Sequence, residues 1–173
     1  MVMFLRGINV GGVRVPMDAL RILLQEAGLI EAKTWLQTGN AMFSSGKTAA
    51  NLKKDIEKRL TERFDYEAFA HVLSLDELKN IVASYPFRTP KEMHRYAILC
   101  SSAAVVNELM TAASELFDNT ERIAAGDKVV YWEAPKGTTT SSPFGKLLAK
   151  ARYKEITTTR NLNTLEKMIS DAV

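Results

Sequence analysis

The sequence predicts an α+β chain made of two similar halves, each running β-α-β-β-α-β-α around a mainly antiparallel sheet. Three observations carry that expectation. Apolar residues fall alternately in short strand-like runs and in stripes of helical spacing. The order of those runs repeats, and a constant offset of 87 residues lays a turn, a cap and a helix face of one half over those of the other.

Val2 to Leu5 is a short apolar run that reads as the first strand, followed by a glycine-rich loop from Arg6 to Val15. Pro16 suits the first turn of a helix, because its missing N–H is unpaired there in any case. In that helix Met17, Leu20, Leu24 and Ala27 recur at helical spacing, and Gly28 ends it. Two strands follow, Ala32 to Gln37 and Asn40 to Ser44, joined as a hairpin with Gly39 in the connection. Leu52, Ile56, Leu60 and Phe64 form the apolar stripe of a helix whose other face carries Lys53, Lys54, Glu57 and Lys58. A strand from Ala68 to Leu73 leads to Ser74 and Glu77, whose spacing is that of a capping box opening a helix through Leu78, Ile81 and Val82.

Pro86 and Pro90 interrupt the pattern, so the expected domains are 1–87 and 88–173. The second half predicts a strand at Tyr96 to Cys100, a helix at Ala104 to Leu116 and a hairpin from Arg122 to Glu133 turning at Gly126 and Asp127. A short helix at Gly145 to Ala151, a strand at Glu155 to Thr159 and a final helix at Leu162 to Ala172 complete it. The 87-residue offset carries Gly39 onto Gly126, Asn40 onto Asp127, Ser74 onto Asn161, Leu78 onto Leu165 and Ile81 onto Met168. The order β-α-β-β-α-β is that of the ferredoxin-like unit, an antiparallel sheet with helices on one face. The fold class expected is therefore α+β with duplicated ferredoxin-like halves, each too small to bury much apolar surface alone.

Bulk properties exclude several function classes. With 46% hydrophobic and 25% charged residues, the chain has the composition of an ordinary globular protein. No apolar run approaches the roughly 20 residues of a membrane-spanning helix, and the N-terminus lacks the basic and long apolar segments of a secretory signal. Cys100 is the single cysteine. It cannot form an internal disulfide, which fits a cytoplasmic location. His71 and His94 have no metal-ligand spacing, no serine sits in a Gly-x-Ser-x-Gly elbow, and no cofactor fingerprint is present. No general base can be named, so the sequence leaves enzyme activity open. A net charge of +3 is too mild to demonstrate nucleic-acid binding.

If the halves are copies, their differences mark candidate sites. The first half spends Arg6 to Pro16 between its first strand and first helix, where the second needs only Ser101 to Ala103. Arg6, Gly7, Asn9, Gly11 and Gly12 in this insertion read either as a wide turn or as a backbone cradle for an anion. It is not a dinucleotide fingerprint or a P-loop, since Asn9 takes the middle glycine position and no Gly-Lys-Ser/Thr follows. A second cluster is Gln37-Thr38-Gly39-Asn40. Gly39 and Asn40 are ordinary turn chemistry, while Gln37 is a long amide able to reach a loop or a ligand. The third is Thr157 to Thr164, in which Asn161 is a good N-cap and Arg160 and Asn163 place polar groups beside a helix N-terminus. Six Lys or Arg residues, among them Lys146 and Arg160, stand against one acid, Glu155, between Lys136 and Arg160. A solvated basic surface is the bland alternative.

Phe4-Leu5-Arg6-Gly7-Ile8-Asn9-Val10-Gly11-Gly12, Val15-Pro16-Met17, Gln37-Thr38-Gly39-Asn40 with Phe43, and Thr158 to Thr164 together resemble the uncharacterised bacterial family known as domain of unknown function 1697. The resemblance implies a bacterial cytoplasmic protein with a duplicated α+β fold and no established activity. Leu162 stands where the family usually has tryptophan, a residue that either stacks on a ligand or plugs the core. The Ser-Lys-Leu-like segment of the family appears here as Phe144-Gly145-Lys146-Leu147.

The favoured expectation is binding of an anionic or phosphate-bearing small molecule, including a nucleotide, in a cleft lined by the glycine-rich loop, Gln37 and the Thr-Arg-Asn segment, with Arg6, Lys146 and Arg160 supplying charge. Asn9, Gln37, Asn40, Asn161 and Asn163 would orient it, and Gly7, Gly11 and Gly12 would admit it closely. The alternatives are nucleic-acid binding on a sheet face with Phe4 and Phe43 as stacking platforms, and a protein-interaction module. No membrane partner is expected, and nothing in the sequence sets an oligomeric state.

Overall fold

A computed structural model describes residues 1–9, 12–116 and 120–172. The elements run β1 (Val2–Arg6), α1 (Met17–Glu26), β2 (Ile30–Trp35), β3 (Asn40–Ser44), α2 (Ala49–Phe64), β4 (Phe69–Leu73) and α3 (Leu75–Ala83). They continue with β5 (Met93–Cys100), α4 (Ala103–Ser114), β6 (Arg122–Gly126), β7 (Val129–Pro135), α5 (Pro143–Leu148), a 3₁₀ turn (Ala151–Tyr153), β8 (Thr157–Asn161) and α6 (Leu162–Ser170). The expected order of elements is present in both halves. Their limits differ by a few residues. β5 starts before Tyr96, and the short helix expected to reach Ala151 breaks after Leu148, with the 3₁₀ turn continuing the path.

The strands form two four-stranded sheets, ordered β2-β3-β1-β4 and β6-β7-β5-β8, with every pairing antiparallel. Each is the ferredoxin-like arrangement expected from the element order. In the first, Met3, Leu5, Ala41, Phe43 and Ala70 point to one face and pack beneath Leu20, Leu23 and Leu24 of α1 and Leu52, Ile56 and Leu60 of α2. In the second, Ile98, Cys100, Val130, Trp132 and Ala134 pack beneath Val105, Val106 and Leu109 of α4 and Phe144, Leu147 and Leu148 of α5. Alternation along the strands and the helical stripe of every fourth residue thus meet in each core.

Contacts divide the chain into Met1–Glu77 and Leu78–Val173, so the division falls inside α3, ahead of the proline-marked junction. The reason is local to the second unit. Tyr131 Oη on β7 donates to Ile81 O of α3 at 2.9 Å, and the Tyr85 ring lies edge-on to Tyr131 at 5.7 Å. The end of α3 and the segment behind it therefore belong to the second sheet.

Strand register measures the repeat more closely than sequence offset. Leu5 pairs with Ala70 as Cys100 pairs with Thr157, so β4 and β8 are 87 residues apart while β1 and β5 are 95 apart. The eight-residue difference is the insertion: the connection after β1 spans 7–16, ten residues, and that after β5 only 101–102. The hairpins differ too. The first turn has four residues, 36–39, and the second has two, 127–128. Leu5 N donates to Gly39 O and Cys100 N donates to Lys128 O, both at 2.8 Å, so Gly39 overlays Lys128 and Asn40 overlays Val129. This corrects the match of Gly39 with Gly126 and of Asn40 with Asp127 that a uniform offset implies. A positive φ just before the third strand survives in both copies, at 71° in Gly39 and 52° in Lys128. The first unit therefore carries two additions over the second, a longer loop and a longer turn.

Candidate functional site

The two additions lie against each other. Asn9 holds them together, with φ 55° in the left-handed region that asparagine tolerates better than most residues. Its Oδ1 accepts from Val15 N at 3.0 Å, closing the loop on itself, and its Nδ2 donates to Gln37 O at 2.7 Å and to Val15 O at 3.3 Å. Beneath it the turn fits tightly: a Cβ on Gly39 would come within 2.7 Å of both Ile8 Cδ1 and Leu5 Cβ. Only glycine fits there without displacing the loop. Asn40, fully buried, donates through Nδ2 to Trp35 O at 3.1 Å and to Thr38 Oγ1 at 2.8 Å, bracing the turn from inside.

Beside this junction opens a cavity of about 470 Å³, lined by Asn9, Arg14, Val15, Pro16, Met17, Asp18 and Gln37. Two of the sequence candidates, Asn9 and Gln37, thus line one cavity, whereas Arg6, Lys146, Arg160 and Asn163, expected in the same cleft, are not in its lining. Arg14 was not among the candidates. An exposed arginine in a loop looks like any solvated cation until the fold places it at a cavity wall. The cavity also meets the first turn of α1, where Pro16 is the N-cap and makes no side-chain capping bond, unlike Thr48 and Ser102 at α2 and α4. The Asp18 carboxylate, the acid in this lining, pairs with Arg21.

The remaining candidates in the first unit are mostly structural in placement. Gly7 and Gly12 adopt positive φ, as a wide loop needs. Arg6 ends β1, and burial lowers its guanidinium from the ordinary value. Gly11, with Val10, lies outside the described residues.

In the second unit, Asn161 caps α6, its side chain accepting from Asn163 N at 2.9 Å. Arg160 Nη1 donates to Thr158 Oγ1 at 2.9 Å and to Thr159 O at 2.8 Å, which folds the guanidinium back along its own strand. Asn163 Oδ1 accepts from Arg95 Nη2 at 2.6 Å and lines a separate cavity of about 400 Å³. Lys146 sits on α5, outside that lining. Among the described residues no group of three or more His, Cys, Asp or Glu is placed to hold a metal ion. Cys100 is buried, and burial pushes its thiol up to about 12, so it is no nucleophile at neutral pH.

Residues 1–131 match the family model described as protein of unknown function (DUF1697). The chain belongs to this family. The matched region contains the glycine-rich loop and the Gln-Thr-Gly-Asn turn, while the Thr-Arg-Asn segment lies beyond it. A solved structure of conserved bacterial protein SP0830 from Streptococcus pneumoniae is similar over 98% of this chain and 96% of that one, with TM-score 0.78 and 22% identity. That likeness shows the fold. No curated protein matches the chain. Leu162, where the resemblance implies a tryptophan, is fully buried at the start of α6, as a core position is.

Two further expectations meet the structure here. Phe4 and Phe43 are 0% and 3% exposed, so neither offers a face for a base to stack on. No helix among the described residues is long and apolar enough to cross a membrane.

Proposed function

We propose that the protein binds an anionic, phosphate-bearing small molecule in the cavity between the glycine-rich loop and the first turn of α1. The observation that carries this reading is the company Arg14 keeps. An exposed guanidinium, the Gln37 side chain and a helix N-terminus without a side-chain cap border one cavity of about 470 Å³, within the usual range for small-ligand sites. Helix N–H groups and the positive end of the dipole favour an anion, and a guanidinium gives a phosphate paired hydrogen bonds. Asn9 orders the wall, and Gln37 keeps its carbonyl for Asn9 while its amide side chain is exposed. A cytoplasmic setting belongs to the same reading, because the single cysteine is a buried thiol.

The test is thermal shift and calorimetric titration with inorganic phosphate, pyrophosphate and nucleoside mono- and triphosphates, on wild type, Arg14→Ala and Gln37→Ala. Neither side chain bonds within the fold among the described residues, so both variants should melt like wild type and lose at least tenfold in affinity for the phosphate compound that binds. Absence of saturable binding, or binding unaffected by both substitutions, defeats the proposal.

A further inference from the structure

The second unit contains a cavity of different character. Its lining is Phe87, Thr89, Pro90, Lys91, Met93, His94, Arg95, Lys136 and Asn163, which includes three permanent cations and a histidine but no carboxylate. Strand pairing makes the cluster. Met93 lies opposite Pro135 and His94 opposite Ala134, and Lys136 N donates to Glu92 O at 2.9 Å. Lys91 and Lys136, far apart in sequence, therefore flank the same end of the β5–β7 ladder.

Arg95 is fixed from several sides. Its Nη2 donates to Asn163 Oδ1 at 2.6 Å and to Glu166 at 2.9 Å, and its guanidinium lies over the Tyr85 ring at 5.8 Å. Tyr85 is itself held by a hydrogen bond from its hydroxyl to the buried Glu133 at 2.8 Å. Among the described residues Arg95 bonds through Nη2 alone, which leaves Nη1 and Nε for a ligand. Glu166 offsets part of its charge. Lys91 and Lys136 have no ion-pair partner among the described residues, and the nearest acid in sequence, Glu92, is exposed between Lys91 and Met93. Lys91 and Lys136, held unpaired beside the partly neutralised Arg95, repel one another and raise the local potential, which a dianion relieves. Phe87, Pro90 and Met93 add apolar surface to the same lining.

We infer that this cavity is a second binding site, for a small soluble phosphomonoester whose phosphate sits among Lys91, Arg95 and Lys136 and whose apolar portion lies on Phe87 and Met93. It shares no residue with the cavity at the glycine-rich loop. The two proposals therefore stand or fall separately.

Titration of the full chain with inorganic phosphate and with phenyl phosphate, followed by amide chemical shifts, tests the inference. Both probes should bind saturably and shift the amides of Lys91 to Arg95 and of Lys136, phenyl phosphate the more tightly. The K91A/K136A double variant should bind phenyl phosphate at least tenfold more weakly with an unchanged melting temperature, while Arg14→Ala leaves these shifts intact. Failure of both probes to saturate, or a double variant that binds like wild type, overturns the inference. So does tight, steeply salt-dependent oligonucleotide binding through these lysines without phenyl phosphate binding, which would make the cluster a nucleic-acid surface.

Discussion

Replacing Asn9 with alanine removes the side chain that joins the long loop to the long turn. Two well-formed hydrogen bonds disappear, Val15 N to Oδ1 at 3.0 Å and Nδ2 to Gln37 O at 2.7 Å, together with a longer one to Val15 O at 3.3 Å. Counting only the first two, at about 0.5–1.5 kcal/mol each, the loss is about 1–3 kcal/mol. Alanine in the left-handed region adds about 1 kcal/mol. Water replaces part of the bonding at this partly exposed site, so the expected total is about 2–3 kcal/mol. At roughly 2–4 °C per kcal/mol for a chain of this size, the melting temperature falls by roughly 4–12 °C. Asn9→Gly separates the two causes, because glycine keeps the backbone angle while losing the bonds, and should recover about 1 kcal/mol. Calorimetry reads the total, and amide exchange of Val15 reads the bond itself, which loses protection in both variants. An Asn9→Ala protein that melts within about 1 °C of wild type and keeps its Val15 amide protected would refute the reasoning.

Two further outcomes follow from burial. Leu162→Ala leaves a cavity under the start of α6 and should cost about 2–5 kcal/mol in denaturant unfolding, whereas a ligand-stacking position would show little stability change. Cys100 gives a pH signature. Its thiol is raised from 9.0 to about 12 in the fold, so the unfolded chain ionises first. Stability is intact below pH 9 and declines as pH rises from there toward 12. The raised tyrosines, such as Tyr66 at about 12, start from 10.0 and add their own loss only above that. Urea unfolding between pH 9 and 10 should therefore slope downward in wild type and be flatter in Cys100→Ala; equal slopes would disprove the assignment.

The fold was readable where one local rule decides each element. The reciprocal Ser74 and Glu77 bonds, Ser74 N to Glu77 Oε2 at 2.7 Å and Glu77 N to Ser74 Oγ at 3.1 Å, are the capping box expected from a three-residue spacing. In the stripe Leu52, Ile56, Leu60 and Phe64, the first three are buried as their period requires and Phe64, at the helix end, is partly buried. Hairpin register was not readable. Gly39 and Gly126 look alike as turn residues, yet Gly39 ends its turn under Leu5 and Ile8 while Gly126 closes strand β6. What separates them is a tertiary contact. The same holds for the sites: Asn9 and Gln37 were legible because a loop insertion and a long amide stand out, whereas Arg14, Lys91 and Lys136 are surface cations until strand pairing and loop closure give them neighbours. Arg160 shows the converse. Its place beside a helix N-terminus suits either an anion or a structural bond, and Thr158, two residues back on the same face of β8, lies within reach of Nη1.

The bridge from Asn9 to Gln37 also bears on how the first unit can be re-engineered. The second unit is a working blueprint for the shorter form, with a two-residue connection and a two-residue turn. Trimming only the loop would strip the turn of its support, and trimming only the turn would leave Asn9 reaching for a carbonyl that has moved. Removing both restores a self-consistent strand end of the kind formed by Cys100 and Lys128. The two insertions are therefore one exchangeable part in two pieces of chain, and their deletions should be strongly non-additive.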